Sequence, residues 1–584
     1  MHFTLSAVLL LVMTPNLQTN DLAARRQALE RLLDEQWQYT LRDSPEFATV
    51  IGDYRYNDKL SDASLAHVEQ QRKDTEAFLK RFEAIDTTGF PEQELLSQQL
   101  MVRNLKETLE TISLKLYLMP VDQFNGIHLN LAQLVPLIPF DTPKEYADYI
   151  ARLKQIPRVM DQVIETLQQG KKDGMMPPRF LLEKVVDQAR QIAEPAGEAN
   201  VFGLPAKKFP EQIPAEQQKP LHDGLVKAVD TYVRPAYNKL ADYVAKEYAP
   251  FGRKDPGVWS LPNGDAIYKF AVRQQTTTSM EPQAIHELGL REVARIHEEM
   301  LAIAKHEGFA DLTSFKSSLK TNPKTIPSSR EDILNAYRGY IAGMQPELPK
   351  LFGLLPKTKV EVRPVQEYRE KEAAAAEYNQ GTPDGSRPGI VYVNTGDYAH
   401  RSKLSIESTA YHEAIPGHHM QISIAQTLPG LPPFRQQANY TAYVEGWALY
   451  AERLGKDIGF YKDPLSDYGR LSDELLRACR LVLDTGVHYK HWTREQMVHY
   501  FRENSGEDEP DIQAETDRYI VLPGQALAYK LGQLKILELR GVAQKELGAK
   551  YDIRAFHDEI LDGGALPLDV LEMRVKGWIQ RVKQ

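Results

Sequence analysis

The chain has 584 residues, with Lys+Arg 71 against Asp+Glu 80 and 42% hydrophobic residues, which excludes a disordered chain, a collagen and a small disulfide scaffold. A net charge of −9 with no long Lys/Arg block argues against a nucleic-acid or anionic-membrane partner. The single cysteine, Cys479, excludes an intrachain disulfide, a Cys-rich zinc site and an iron–sulfur cluster.

The chain opens with a mostly apolar run at 5–13 (LSAVLLLVM). It is too short to span a bilayer, which takes about 20 residues, and long enough for the core of a secretory signal. Residues 1–20 are therefore read as a signal peptide of a periplasmic or secreted protein, although no basic residue precedes the run and no clean cleavage site follows it; the alternative is a frayed N-terminal helix or a mis-assigned start, with the protein then cytoplasmic. No cysteine follows it either, so lipid attachment is not expected there. No other run approaches spanning length, so stable membrane insertion is not expected.

From 21 to about 349, apolar residues at three- and four-residue spacing predict helices over 23–41, 65–83, 92–116, 143–169 and 220–248. Thr142-Pro143-Lys144-Glu145 reads as a helix start, with Thr as cap and Pro in the first turn. The texture changes near Lys357. Residues 359–363 alternate as a strand does, 381–389 form a turn cluster, and 389–394 (GIVYVN) read as a strong strand. Helices return over 405–426, 434–459, 465–491, 494–503, 524–547 and 567–583. The expected architecture is mainly α: multi-helix lobes around a deep cleft, with one small β element. Residues 21–350 form an N-terminal helical region and 351–584 carry the chemistry, within one continuous unit.

The chemistry centres on 411–421 (YHEAIPGHHMQ). A His-Glu pair with further His downstream points to a zinc hydrolase, in which two His bind the metal and the Glu acts on water. The usual H-E-x-x-H spacing is absent, because Pro416 stands four residues after His412. The next histidines, His418 and His419, are six and seven positions away. Six residues of straight helix rise about 9 Å, too far for convergence on metal bonds of about 2 Å. The pattern works only if Ile415–Gly417 departs from the helix, as Pro-Gly allows. The pairs His286-Glu287, His297-Glu298 and His306-Glu307 lack a partner His four residues on and read as faces of a charged amphipathic helix.

H-E-x-x-P-G-H-x-x-Q, filled by His412, Glu413, Pro416, Gly417, His418 and Gln421, resembles the signature of the DUF885 family, large helical bacterial proteins related to the glutamate-zincin metallopeptidases. Further blocks match at 445–452 (EGWALYAE), 480–488 (RLVLDTGVH), Arg518-Tyr519 and 523–530 (PGQALAYK), with Asn394-Thr395 after the strand. The resemblance spans nearly all of 22–584. It implies one zinc per chain, held by His412, His418 and Glu445, with His419 the alternative second ligand and Glu413 the general base. Glu445 and Glu452 lie seven apart on one helix face, so Glu452 is either the ligand instead or a partner that orients a ligand His. Glu445 is preferred because it heads the Glu-Gly-Trp block, where Gly446 permits close helix approach.

His488, Tyr519 and Tyr529 are candidates to stabilise an oxyanion. Arg518 is a candidate for pairing with a substrate carboxylate, and Asn394 for a strand end that binds extended peptide. Cys479 reads as a buried small side chain. No G-x-S-x-G or P-loop pattern occurs. The expected function is a zinc metallopeptidase acting on short peptides. The competing readings are a zinc amidase or esterase on a non-peptide substrate and a non-catalytic helical binding protein. Oligomeric state and peptide preference are not legible.

Overall fold

The computed structural model describes residues 17–367, 370 and 373–584; the apolar run at 5–13 lies outside them. The protein is mainly α, with one three-stranded sheet. Among the described residues no helix is long and apolar enough to cross a membrane.

Most predicted helices are present, and three differ. The helix expected over 143–169 is two, Pro143–Leu153 and Ile156–Asp173. Pro157 has no N–H for the Leu153 carbonyl, so the first helix stops there. Its start does carry the expected reciprocal cap between Thr142 and Glu145. The stretch 434–459 divides into a short turn of helix, Pro433–Gln436, and a long helix from Thr441. The third is the motif helix, described below. Sequence periodicity also missed the helix Glu509–Val521, whose Asp508 cap and Pro510 in the first turn are ordinary start signals.

The elements that build the site are α1 (Pro282–His306), α2 (Arg330–Met344), β1 (Val360–Pro364), β2 (Ala376–Asn379), β3 (Gly389–Val393), α3 (Ile406–Glu413), α4 (His418–Thr427), α5 (Thr441–Asp457), α6 (Pro464–His488), α7 (Glu509–Val521) and α8 (Gln525–Leu547). β3 is central, parallel to β1 and antiparallel to β2, and all five of its residues are buried. Val391 and Val393 pack with Ile333, Leu334 and Tyr337 of α2 and with Ile406 and Ala410 of α3. The sheet thus anchors the helix that ends in the His-Glu pair.

α5 and α8 cross at two glycines. A Cβ on Gly446 would meet the Gly532 Cα at 2.4 Å, so neither position has room for a side chain. α1, α6 and α8 are tied by buried charges. Lys530, fully buried, lies 2.6 Å from Glu474 and 3.0 Å from Glu292, and Arg295 reaches Glu474 at 2.6 Å. Each charge is compensated, as burial requires. α1 packs along α6 although it precedes the change of texture near Lys357. Leu96 and Leu100 join the same core as Trp447 and Leu571. The two regions therefore share their interior.

Candidate metal centre

α3 ends at Glu413 and α4 begins at His418. Between them the backbone leaves the helix, with Ala414 at φ −104°, ψ −103° and Gly417 at φ −82°, ψ −128°; the Ile415–Pro416 bond is cis. The Ala414 carbonyl accepts from Met420 N–H at 3.3 Å, and Trp447 Nε1–H donates to the Pro416 carbonyl at 2.9 Å. Gly417 is required here, since a Cβ would stand 2.0 Å from the His412 carbonyl oxygen.

The break brings the second histidine back. The rings of His412 and His418 lie 4.7 Å apart and nearly perpendicular, at 88°. Glu445 Oε2 stands 3.6 Å from His412 Nε2 and 3.4 Å from His418 Nε2. One ligand atom from each of the three lies within 4.8 Å of the others. Bonds of about 2.0–2.1 Å at tetrahedral angles place neighbouring ligand atoms roughly 3.3–3.4 Å apart, close to these separations. Glu445 Oε2 is buried without a hydrogen-bond partner, an orphan that a cation would satisfy. The donor set of two imidazoles and a carboxylate suits zinc.

Glu452, one face-repeat along α5, meets the other side of the same ring: its Oε1 is 2.7 Å from His412 Nδ1. That bond places the ring proton on Nδ1 and turns the Nε2 lone pair towards Glu445 and His418. Burial works against charge on His412, but Glu445 and Glu452 outweigh it and push its pKa up to about 10. Burial likewise opposes ionised Glu445, yet His418 and His412 hold its pKa well below the ordinary range. His412, His418 and Glu452 are buried while Glu413 and Glu445 are half-buried, so the cluster is closed behind and open in front. Structural zinc sites are closed, and catalytic ones keep an open position.

The Glu413 carboxylate makes no direct hydrogen bond or ion pair among the described residues. Burial raises its pKa, against the pull of His412 and His418. His419 points elsewhere, with Nδ1 3.0 Å from the Tyr378 hydroxyl and Nε2 3.1 Å from the Thr358 carbonyl. The three other His-Glu pairs stay apart from this centre. His286 bonds Thr485 and His297 the Asn504 carbonyl, while His306 faces its own neighbour Glu307.

The remaining candidates divide. His488 has no free ring nitrogen: Nδ1 accepts from Val258 N–H at 3.1 Å and Nε2 donates to the Tyr519 carbonyl at 2.9 Å. Burial pulls its pKa down to about 3. The Tyr519 hydroxyl donates to Glu515 at 2.6 Å. These two expectations are corrected, because each donor is already spent inside the fold. The Tyr529 hydroxyl instead accepts twice, from Arg518 at 3.0 Å and Gln525 at 3.2 Å, which leaves its proton to donate. Asn394 is also corrected. β3 is paired on both edges, so no strand can add there. The side chain is spent on the Glu370 and Ala373 carbonyls and on Gly396 N–H.

Sequence reasoning missed Arg477. It lies 4.0 Å from Glu452 and 3.6 Å from Asp473, and its charge acts on Glu413 and Tyr529. The signal was present: Asp473, Arg477, Arg480 and Asp484 recur at three- and four-residue spacing along one side of α6, the first two half-buried and the last two buried.

Fold and cluster together define a helical protein in which two histidines and one glutamate converge at a broken motif helix. The chain belongs to the DUF885 family, described as bacterial protein of unknown function, whose model matches residues 45–575. A crystal structure of the "putative lipoprotein" from Colwellia psychrerythraea superposes with a TM-score of 0.90 at 30% identity, covering 95% of this chain and 99% of that one. A second, a "putative lipoprotein of unknown function" from Shewanella oneidensis, gives 0.69 at 18% identity over 94% and 99% and shares the fold. No functionally curated protein matches the chain.

Proposed function

We propose that this protein is a zinc-dependent hydrolase that cleaves peptide bonds in short peptides. The observation that carries the reading is the convergence of His412, His418 and Glu445 across a broken helix, backed by the Glu452–His412 hydrogen bond. A zinc ion held by those three residues would polarise a carbonyl and lower the pKa of water beside it. Glu413, adjacent to a ligand and unpaired, takes the proton of the attacking water and passes it to the leaving amine. Glu452 keeps His412 in the tautomer that presents Nε2. The Tyr529 O–H supplies the hydrogen bond that strengthens as charge builds on the carbonyl oxygen.

The run at 5–13 and the description of two structural relatives as lipoproteins support a location outside the cytoplasm. The buried Cys479 is not a lipid attachment point.

The test is metal analysis of purified protein together with cleavage of a mixed peptide library by wild type and Glu413→Gln. About one zinc per chain is expected in both, with hydrolysis lower by roughly 10²–10⁴-fold in the variant. Protein that stays metal-free after incubation with zinc, or a variant with wild-type turnover, rejects the mechanism.

A further inference from the structure

α6, α7 and α8 bring two guanidinium groups onto a single carboxylate. Arg480 Nη2 lies 2.7 Å from Glu515 Oε2, and Arg518 Nη1 lies 3.2 Å from Glu515 Oε1. Among the described residues Glu515 is the only acid within ion-pair distance of either arginine, so two cations share one anion. Arg480 Nε is used on the Tyr519 hydroxyl at 3.0 Å, and Arg518 Nη2 on Tyr529 and Gln525. Arg480 Nη1 and Arg518 Nε are buried and have no partner. Unmade N–H donors on buried cations are costly, and a native fold that keeps one on each of two arginines sharing a single carboxylate has a use for them.

Tyr529 links the place to Arg477, whose charge also acts on Glu413, and Arg518 carries it towards solvent. Arg480 stacks on Tyr529, 4.4 Å from its ring centroid, and Tyr529 is the residue with a proton left to give. On the outer side Arg518, 17% exposed, lies 5.0 Å from the ring of Phe124. Phe124 is one of the few large apolar side chains left exposed, at 44%. It belongs to a turn of the N-terminal region that Gln123 fastens to the Asp517 carbonyl at 3.0 Å. The acids Glu507 and Asp511 act on each other and on Glu515, and neither is within ion-pair distance of the two arginines.

We infer that Arg480 and Arg518 form an anchor for the free α-carboxylate of a short peptide, with Phe124 as a wall for the C-terminal side chain. The inference rests on the hydrolase reading for the ligand's identity and makes the substrate class peptides with an unblocked C-terminus. A carboxylate supplies two oxygens to the two unused donors and brings the missing negative charge; an amidated end supplies neither charge nor fork. Arg518 and Arg480 are here specificity residues, and neither handles the proton.

The experiment measures binding without turnover. Glu413→Gln protein, supplied with zinc, is titrated calorimetrically with an equimolar tripeptide library as free acids and as C-terminal amides. The acids are expected to bind at least about tenfold more tightly. Adding Arg518→Gln should remove that preference, bringing the acids down to the affinity of the amides measured in the same variant. Arg518→Lys, which keeps the charge and the fold but not the fork, should restore part of it. Equal affinity for the two libraries, no binding of either at millimolar concentration, or an undiminished preference in the Arg518→Gln background overturns the anchor. Wild type that hydrolyses acids and amides equally, with equal binding, retains the hydrolase and loses the anchor. Selective binding of acids by a protein that neither holds zinc nor cleaves peptides does the reverse.

Discussion

Glu445 and Glu452 stand on one face of α5 and flank the two nitrogens of the same imidazole, so replacing each by its amide separates a ligand from a partner. In Glu452→Gln the amide oxygen still accepts from His412 Nδ1–H across the 2.7 Å contact. What is lost is one negative charge facing Arg477. Loss of such a partner costs about 10–100-fold in metal affinity, and the retained hydrogen bond puts Glu452→Gln near tenfold, roughly 1.4 kcal/mol. In Glu445→Gln an anionic ligand atom is replaced by a neutral one. Four-ligand structural zinc sites bind with about 10–16 kcal/mol, or roughly 2.5–4 kcal/mol per ligand, so a weakening of about 10²–10³-fold is expected. The Glu445 side chain keeps 19% of its surface exposed, so the change should leave the fold intact. Zinc affinity is read by competition with a chelator of known strength, with circular dichroism as the control for folding. A Glu452→Gln protein that fails to hold zinc, beside a Glu445→Gln protein that binds as wild type does, would refute the assignment.

The other expectations follow from the same geometry. His418→Ala should lose zinc, whereas His419→Ala, whose ring bonds Tyr378 and Thr358, should keep it; the opposite result in the same competition assay exchanges the two roles. Trp447→Phe removes the donor to the Pro416 carbonyl and should cost about 1–3 kcal/mol of stability, together with a weaker zinc site; unchanged chelator competition would show that the break holds its shape unaided. Gly532→Val places a side chain where the Ala442 carbonyl oxygen would be 1.8 Å from its Cβ. Thermal unfolding should fall by at least the about 1–3 kcal/mol typical of overpacking, and an unaltered melting temperature would mean that α5 and α8 separate more easily than their packing indicates.

The sequence reveals the fold where local chemistry decides it. Helix 65–83 is recoverable to the residue because a Ser64 cap opens it and an amphipathic stripe continues it. β3 is legible from its β-branched run, but not its place in the sheet: a buried strand with partners on both sides and an edge strand differ only in what lies beside them. The β-addition expected at Asn394 failed for that reason. His488 and Tyr519 failed for a related one. A hydrogen-bonding side chain on an apolar helix shows that a partner exists without showing which, and here the partners are the Tyr519 carbonyl and Glu515. Arg477 escaped notice, and Arg480 was read only as the head of a motif block, because each charge alone reads as surface; the packing of α6 against its neighbours leaves Arg477 half-buried and Arg480 buried.

The six-residue spacing of His412 and His418 is where sequence and structure meet most directly. On a straight helix it puts the second ring about 9 Å along the axis, and His419, nearer the same face, would be the better ligand. The chain removes the helix from between them instead. Pro416 cannot donate, Gly417 sits where a Cβ would stand 2.0 Å from the His412 carbonyl oxygen, and Trp447 takes the carbonyl that the break exposes. Trp447 is two residues from Glu445 on α5, so the helix that brings the carboxylate also clamps the turn that delivers His418. Glu452 then fixes His412 from behind. One helix thus sets three of the constraints on the centre, and the Glu-Gly-Trp block reads as a physical unit: the proposed ligand, the glycine that lets α8 close in, and the indole that holds the break.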